Sequence, residues 1–133
     1  MVKENNFLKK ITDFCISKSK QFGSTSSSVL AVNSISESVN IRNKKLDGSE
    51  RSENLGLTLT TYIGKKKASI SSSKFDENNL TELVKRCIES TKVTPEDEYN
   101  SLPDKELYFK GEKNLELYDE TFLSNDEKLN FIK

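Results

Sequence analysis

Histidine and tryptophan are missing from this chain of 133 residues, and cysteine, proline and glycine are scarce at two, two and five. Without histidine there is no Ser-His-Asp or Cys-His pair, no HExxH zinc motif, and no side chain whose unperturbed pKa lies near neutrality. Cys15 and Cys87 are too few for the disulfide framework of a small secreted domain, and no CxxC spacing exists. Both fall on the apolar face of a helical pattern, which reads as two core thiols rather than reactive or bridging ones. Long apolar runs are absent too. None approaches the roughly 18–20 residues of a membrane helix, and Met1–Lys10 lacks the uninterrupted apolar stretch of a signal peptide. A reducing, cytoplasmic setting is the expectation, with no membrane partner.

Charge is plentiful but balanced, with 21 basic and 21 acidic side chains making up 32% of the chain, against 33% hydrophobic residues. That length and composition fit one modest soluble domain. A neutral total argues against a nucleic-acid backbone as direct partner, since a clearly basic balance is its usual footprint. The balance holds only in sum. Residues 1–67 carry 12 basic and 6 acidic groups, a net of +6, and residues 68–133 carry 9 and 15, a net of −6. The simplest account is a solvated surface with acidic residues gathered in the later loops.

Hydrophobic periodicity organises the first 93 residues. From Asn6 to Phe22, Phe7, Ile11, Phe14 and Cys15 recur at helical spacing, and Gly23 can close the helix in the left-handed conformation. Val29–Val32 is then a short apolar run, and Ile35, Val39 and Ile41 alternate with polar residues. These predict two short strands with a turn near Ser36–Glu37, followed by a turn near Asn43–Lys44 and a polar strand over 45–52 of the kind found at a sheet edge. Leu55–Ile63 is the clearest strand, with Leu55, Leu57, Leu59, Thr61 and Ile63 on one face. A two-residue Gly64–Lys65 turn places glycine where a type II′ turn requires it, and pairs Thr61 with Ala68 and Leu59 with Ile70. A three-residue loop would set Leu59 against Ser71, so the alternation favours the even loop. Asp76 caps a second helix to about Thr91, whose Leu80, Leu83, Val84, Cys87 and Ile88 form an apolar stripe. Helices before and after a strand block predict a two-layer α+β domain, an antiparallel sheet flanked by an N-terminal and a following helix.

From Val93 the character shifts to turn-rich acidic sequence that holds both prolines, Pro95 and Pro103. An extended piece is expected over 115–119, and Ser124-Asn125-Asp126-Glu127 reads as a capping box opening a helix through Leu129, Phe131 and Ile132. The expected organisation is therefore a domain over 1–93, a connector over 94–123, and the start of a further helix over 124–133. A helix that stops so soon suggests the front part of a longer protein.

Motifs that would carry chemistry are not found. No pair of carboxylates sits in an apolar context that would raise one pKa for general-acid work. Asp47-Gly48-Ser49-Glu50 lacks the alternating ligands and terminal Glu of an EF-hand loop. Gly56 and Gly64 are too isolated to cradle a phosphate. Lys65-Lys66-Lys67 occupies a hairpin tip, where lysines commonly solubilise, and only Tyr62 nearby could stack on a base. Ser71-Ser72-Ser73 reads as a strand end leading into the helix cap. No catalytic, cofactor-binding or metal-binding residue is expected in this chain.

Taken in order, Ser38-Val39-Asn40-Ile41-Arg42-Asn43, Leu55-Gly56-Leu57-Thr58-Leu59, the Ile63-Gly64-Lys65-Lys66-Lys67-Ala68-Ser69 hairpin and the Asp76 helix resemble the amino-terminal domain of the TldD/PmbA family. Glu98-Tyr99-Asn100-Ser101-Leu102-Pro103-Asp104, Leu115-Glu116-Leu117-Tyr118-Asp119 and the Ser124 helix start look like that family's link into its second domain. The Ala68–Ser72 strand and Pro103-Asp104-Lys105-Glu106-Leu107 look more like the PmbA (TldE) branch than TldD.

This resemblance implies a cytoplasmic peptidase family, also labelled modulators of DNA gyrase. PmbA-like and TldD-like chains in it pair as a heterodimer that degrades or processes unfolded peptides. The family's zinc ligands lie in an HExxxH motif of the TldD-type subunit, and no position here matches it. The resemblance therefore implies a non-catalytic subunit domain whose zinc is expected in a TldD-type partner. Self-association is the other partnership considered. The alternative function is a self-contained protein-interaction module, monomeric or dimeric, unrelated to proteolysis.

Overall fold

The structure is a computed structural model, and it describes residues 2–111, 113–117, 119 and 121–132, with side chains from residue 6 onward. Its elements are α1 (Val2–Gln21), β1 (Ser26–Arg42), β2 (Lys45–Ile63), β3 (Lys66–Ser72), α2 (Glu77–Val93), a single 3-10 turn (Lys105–Leu107) and α3 (Asn125–Phe131). The strands form one antiparallel sheet in the order β1-β2-β3, so the fold is the expected α+β arrangement of helix, sheet and helix.

The turns follow from the residues that occupy them. Gly64 has φ +59° while Lys65 stays outside the positive region, as a type II′ turn requires. The register is Thr61 opposite Ala68 and Leu59 opposite Ile70, matching the even-loop expectation. Asn43 and Lys44 both have positive φ, +51° and +61°, the pattern of a type I′ turn, which Asn tolerates better than most residues. Gly23, at φ +98°, ends α1 as its position predicts. The helix itself begins earlier than the apolar periodicity indicates, at Val2 rather than Asn6.

Two expectations about the strands are corrected. There is no turn at Ser36–Glu37, because β1 runs unbroken for 17 residues. The partly buried positions keep a single odd phase through Val29, Ala31, Asn33, Glu37, Val39 and Ile41, with Ile35 of the same phase exposed, and the polar Asn33 and Glu37 interrupt the apolar signal without interrupting the strand. Likewise the polar strand over 45–52 and the apolar one over 55–63 are a single strand of 19 residues. The extended piece expected over 115–119 is not a strand at its described residues. Glu116 turns the chain with φ +49°, and Tyr118 lies outside the described residues.

The chain divides into two compact units, Met1–Asn33 with Asn54–Pro103, and Ser34–Glu53 with Asp104–Lys133. The first unit holds the core. Ile11 and Cys15 of α1, Leu57 and Leu59 of β2, and Leu80, Leu83, Val84, Cys87 and Ile88 of α2 form one buried cluster, with Val29, Ala31 and Ile70 packed against it. Asp76 caps α2 by accepting from the Asn79 N–H at 3.0 Å. Thr61 also faces inward and is fully buried, so its hydroxyl needs a partner. It meets the Thr91 hydroxyl at 2.6 Å, and Thr91 donates to the Cys87 carbonyl at 2.8 Å. After α2 the chain returns to the hairpin tip, where the Asp97 N–H and the Asn100 side-chain amide both donate to the Lys65 carbonyl at 3.2 Å.

In the second unit, α3 opens on the predicted capping box. Ser124 accepts from the Glu127 N–H at 3.3 Å, and the Glu127 carboxylate accepts from the Ser124 N–H at 2.8 Å. Its polar parts of β1 and β2 carry charged and hydroxyl groups rather than a core, among them Glu37, Arg51 and Ser49.

The faces of β2 differ enough to be told apart by substitution. Leu59→Ala should lower stability by about 2–5 kcal/mol through lost burial and the cavity left behind. Thr58→Val, on the opposite face, should change it by about 0.5 kcal/mol or less. Urea unfolding midpoints measure both.

Candidate functional site

Among the described residues the chemistry-bearing side chains are not gathered into a reacting constellation. Cys15 and Cys87 are both free and fully buried, on α1 and α2. Cys87 donates weakly to the Leu59 and Ala68 carbonyls at 3.6 and 3.5 Å. Burial pushes the Cys15 thiol up to about 11, away from the thiolate that a nucleophile or metal ligand must be. Among the described residues no three His, Cys, Asp or Glu side chains come together where they could hold a metal ion. With two inward-facing thiols and no imidazole, these residues do not fit the zinc that the family resemblance implies.

Among the described residues, each carboxyl with a shifted titration moves downward, which suits ion pairing and capping rather than general-acid work. Hydrogen bonds from Asn79 lower Asp76, those from Thr121 lower Asp119, and those from Ser124 lower Glu127. Glu37 is lowered first by its hydrogen bond from Lys128, then by the charges of Lys128 and Arg51.

The other positions singled out from sequence have structural roles. Lys66 reaches the Lys92 carbonyl at the end of α2 at 3.0 Å, and Lys67 lies 5.8 Å from the Tyr62 ring centre. Two of the three tip lysines are thus engaged within the domain. Asp47 pairs with Arg42 at 3.5 Å inside a hairpin, not a cation loop. Ser71 and Ser69 form hydroxyl pairs with Thr58 and Thr60 at 2.8 and 2.7 Å on the face away from the helices.

What remains open among the described residues includes a sheet edge and, in the second unit, a pocket with a charged wall. β3 is an outer strand and pairs only with residues 57–63 of β2. Main-chain groups on such an edge can receive an extended segment with little regard to its sequence. In the second unit, Glu37 joins Arg51 at 3.4 Å and Lys128, and Phe122 lies 5.6 Å from the Lys128 ammonium. Sequence reading did not find this group. Its members lie up to 91 positions apart, and only the capping box that starts α3 hinted that Lys128 would be held in place.

Two outcomes follow from these environments. Neither thiol should react with a disulfide reagent in native protein, and both should react on unfolding, as read by thiol titration. Glu37 should titrate below the ordinary glutamate value of about 4.3. Because its folded value is depressed, its ion pairs support the second unit above that range and are lost as pH falls through the folded value. Carboxyl NMR titration reads this directly.

Among the described residues no helix is long and apolar enough to cross a membrane. Residues 27–91 match the family model for PmbA/TldA metallopeptidase domain 1. A solved protein of Bacteroides thetaiotaomicron VPI-5482, provisionally named a modulator of DNA gyrase, is similar over 98% of this chain at 29% identity and a TM-score of 0.86. The chain spans 30% of that protein's length. No curated protein matches it. The match of strands, hairpin and second helix, together with this structural likeness, shows that residues 27–91 carry a first domain of the PmbA/TldD metallopeptidase type.

Proposed function

We propose that this chain is the amino-terminal domain of a PmbA/TldE-like subunit, serving a zinc peptidase complex that degrades or processes unfolded peptides without supplying the catalytic chemistry itself. The observation that carries this reading is the match of residues 27–91 to the first domain of a metallopeptidase family in a chain without histidine. The active zinc then belongs to a TldD-type partner, and this domain contributes binding and assembly.

Two features support that role. The outer strand β3 offers main-chain groups to an extended peptide or to a partner's strand. The second unit exposes Leu107, Phe109, Leu117, Phe122 and Phe131, each more than 70% accessible, and such apolar exposure is characteristic of surfaces that meet another protein. This meeting surface need not be specific to one subunit, and self-association would use the same side chains.

The full-length protein, purified from its own cells through an affinity tag, should bring down a second chain bearing HExxxH. The pair should hydrolyse an unstructured peptide in a chelator-sensitive way. The 133-residue chain alone should show no hydrolysis. Chelator-sensitive cleavage by the isolated chain would overturn the non-catalytic assignment, and recovery of the protein only with itself would favour an interaction module instead.

A further inference from the structure

The second unit contains a cavity of about 400 Å³ whose walls combine two kinds of chemistry. Ile35, Phe122 and Leu123 supply apolar surface, and Glu37, Arg51 and Lys128 supply charge. That volume lies within the range of small-ligand sites, about 300–1,000 Å³.

The charges do not cancel. Among the described residues Glu37 is the one carboxylate in the lining, and it is already shared by Arg51 and Lys128, which leaves those three side chains with one positive charge in excess. The Arg51 contact to Glu37 runs through Nε, and the Arg51 side chain stays 63% accessible. A guanidinium carries five N–H donors in a fixed fork, more than one shared carboxylate uses, so it can take a second anion bidentately. Lys128, by contrast, is only 21% accessible and is held against Glu37. Glu37 therefore acts as the post that aims both cations, and Arg51 is the group that faces outward.

We infer that this pocket binds the carboxy-terminal residue of a peptide, with the terminal carboxylate on Arg51 and an apolar side chain against Ile35, Phe122 and Leu123. The fit is one of charge and spacing. A chain terminus places one carboxylate and one side chain on the same carbon, as a pocket with one spare cation beside an apolar wall requires. A free amino acid fits poorly, because its ammonium would need a carboxylate and the one among the described lining residues is committed to Arg51 and Lys128. In a peptide an amide stands at that place. Ile35 and Phe122 are 52% and 76% accessible, so the apolar wall gains burial when a side chain covers it. The biological meaning of such binding rests on the peptide-handling role proposed above, whereas the binding itself belongs to this chain and needs no partner subunit.

The test uses the 133-residue chain and an N-terminally labelled, unstructured hexapeptide ending in leucine, read by fluorescence anisotropy. The free acid should bind at least about tenfold more tightly than its C-terminal amide, the ratio expected when a charge-assisted bond is lost. An amidated peptide carrying one internal glutamate should bind as weakly as the plain amide. Arg51→Gln should abolish the preference for the free acid, with an unchanged melting curve showing that the chain still folds. Because the acid and amide are compared on the unaltered protein, the result does not depend on any variant. Equal binding of acid and amide, or binding of neither, overturns the proposal. Binding of the internal-glutamate peptide as tight as the free acid overturns the terminal assignment and leaves an acidic side chain as the ligand. Failure to recover an HExxxH partner bears on the proposed complex alone and leaves these measurements untouched.

Discussion

The pairing of Leu59 with Ile70 and of Thr61 with Ala68 is the constraint on which the rest of the first unit depends. A strand has a side-chain period of two, so a slip of one residue would turn every inward group of β3 outward. The two-residue turn at Gly64–Lys65 prevents that slip. Glycine takes φ +59° there without the steric cost a side chain would bring, and its twist suits the strands on either side. With the register set, Leu57, Leu59 and Thr61 meet Val84, Cys87, Ile88 and Thr91 of α2, and the core closes.

The same register also decides what is left for function. Once one face is committed to the helices, the other carries hydroxyl pairs, and the outer strand keeps main-chain groups available to another segment. The second unit is held differently. Its order comes from a capping box, an amide contact from Asn125 to Ser49 and the charges around Glu37, with no buried residue in α3. Its ion pairs weaken with salt and with protonation of Glu37, whereas the first unit rests on buried apolar contacts. The second unit is also where large apolar side chains such as Leu117, Phe122 and Phe131 remain exposed.

Much of the first unit was legible because its signals are local and repeated. The stripe of Leu80, Leu83, Val84, Cys87 and Ile88, the Asp76 cap and the Gly64–Lys65 turn each need only neighbours in sequence to be read. The length of the strands was not legible, since Asn33 and Glu37 stand at inward positions of β1 and break the apolar alternation. Asn33 has an Oδ1 with no partner among the described residues, an unusual group to place inside a strand, and no pattern rule would put it there. The pocket was hidden for a different reason. Ile35, Arg51 and Phe122 are ordinary residues in their own segments, and only tertiary structure joins them. The family resemblance was readable from the order of several short segments, and residues 27–91 match the family's first domain.

Register is thus the physical link between this sequence and its role, and it can be observed without altering the protein. Methyl-resolved NMR of the 133-residue chain measures it most directly, through contacts across β2 and β3. The account predicts cross-peaks between the methyl groups of Leu59 and Ile70 and between those of Thr61 and Ala68. Leu59 facing Ser71, with Ile70 turned to the solvent side, would contradict it.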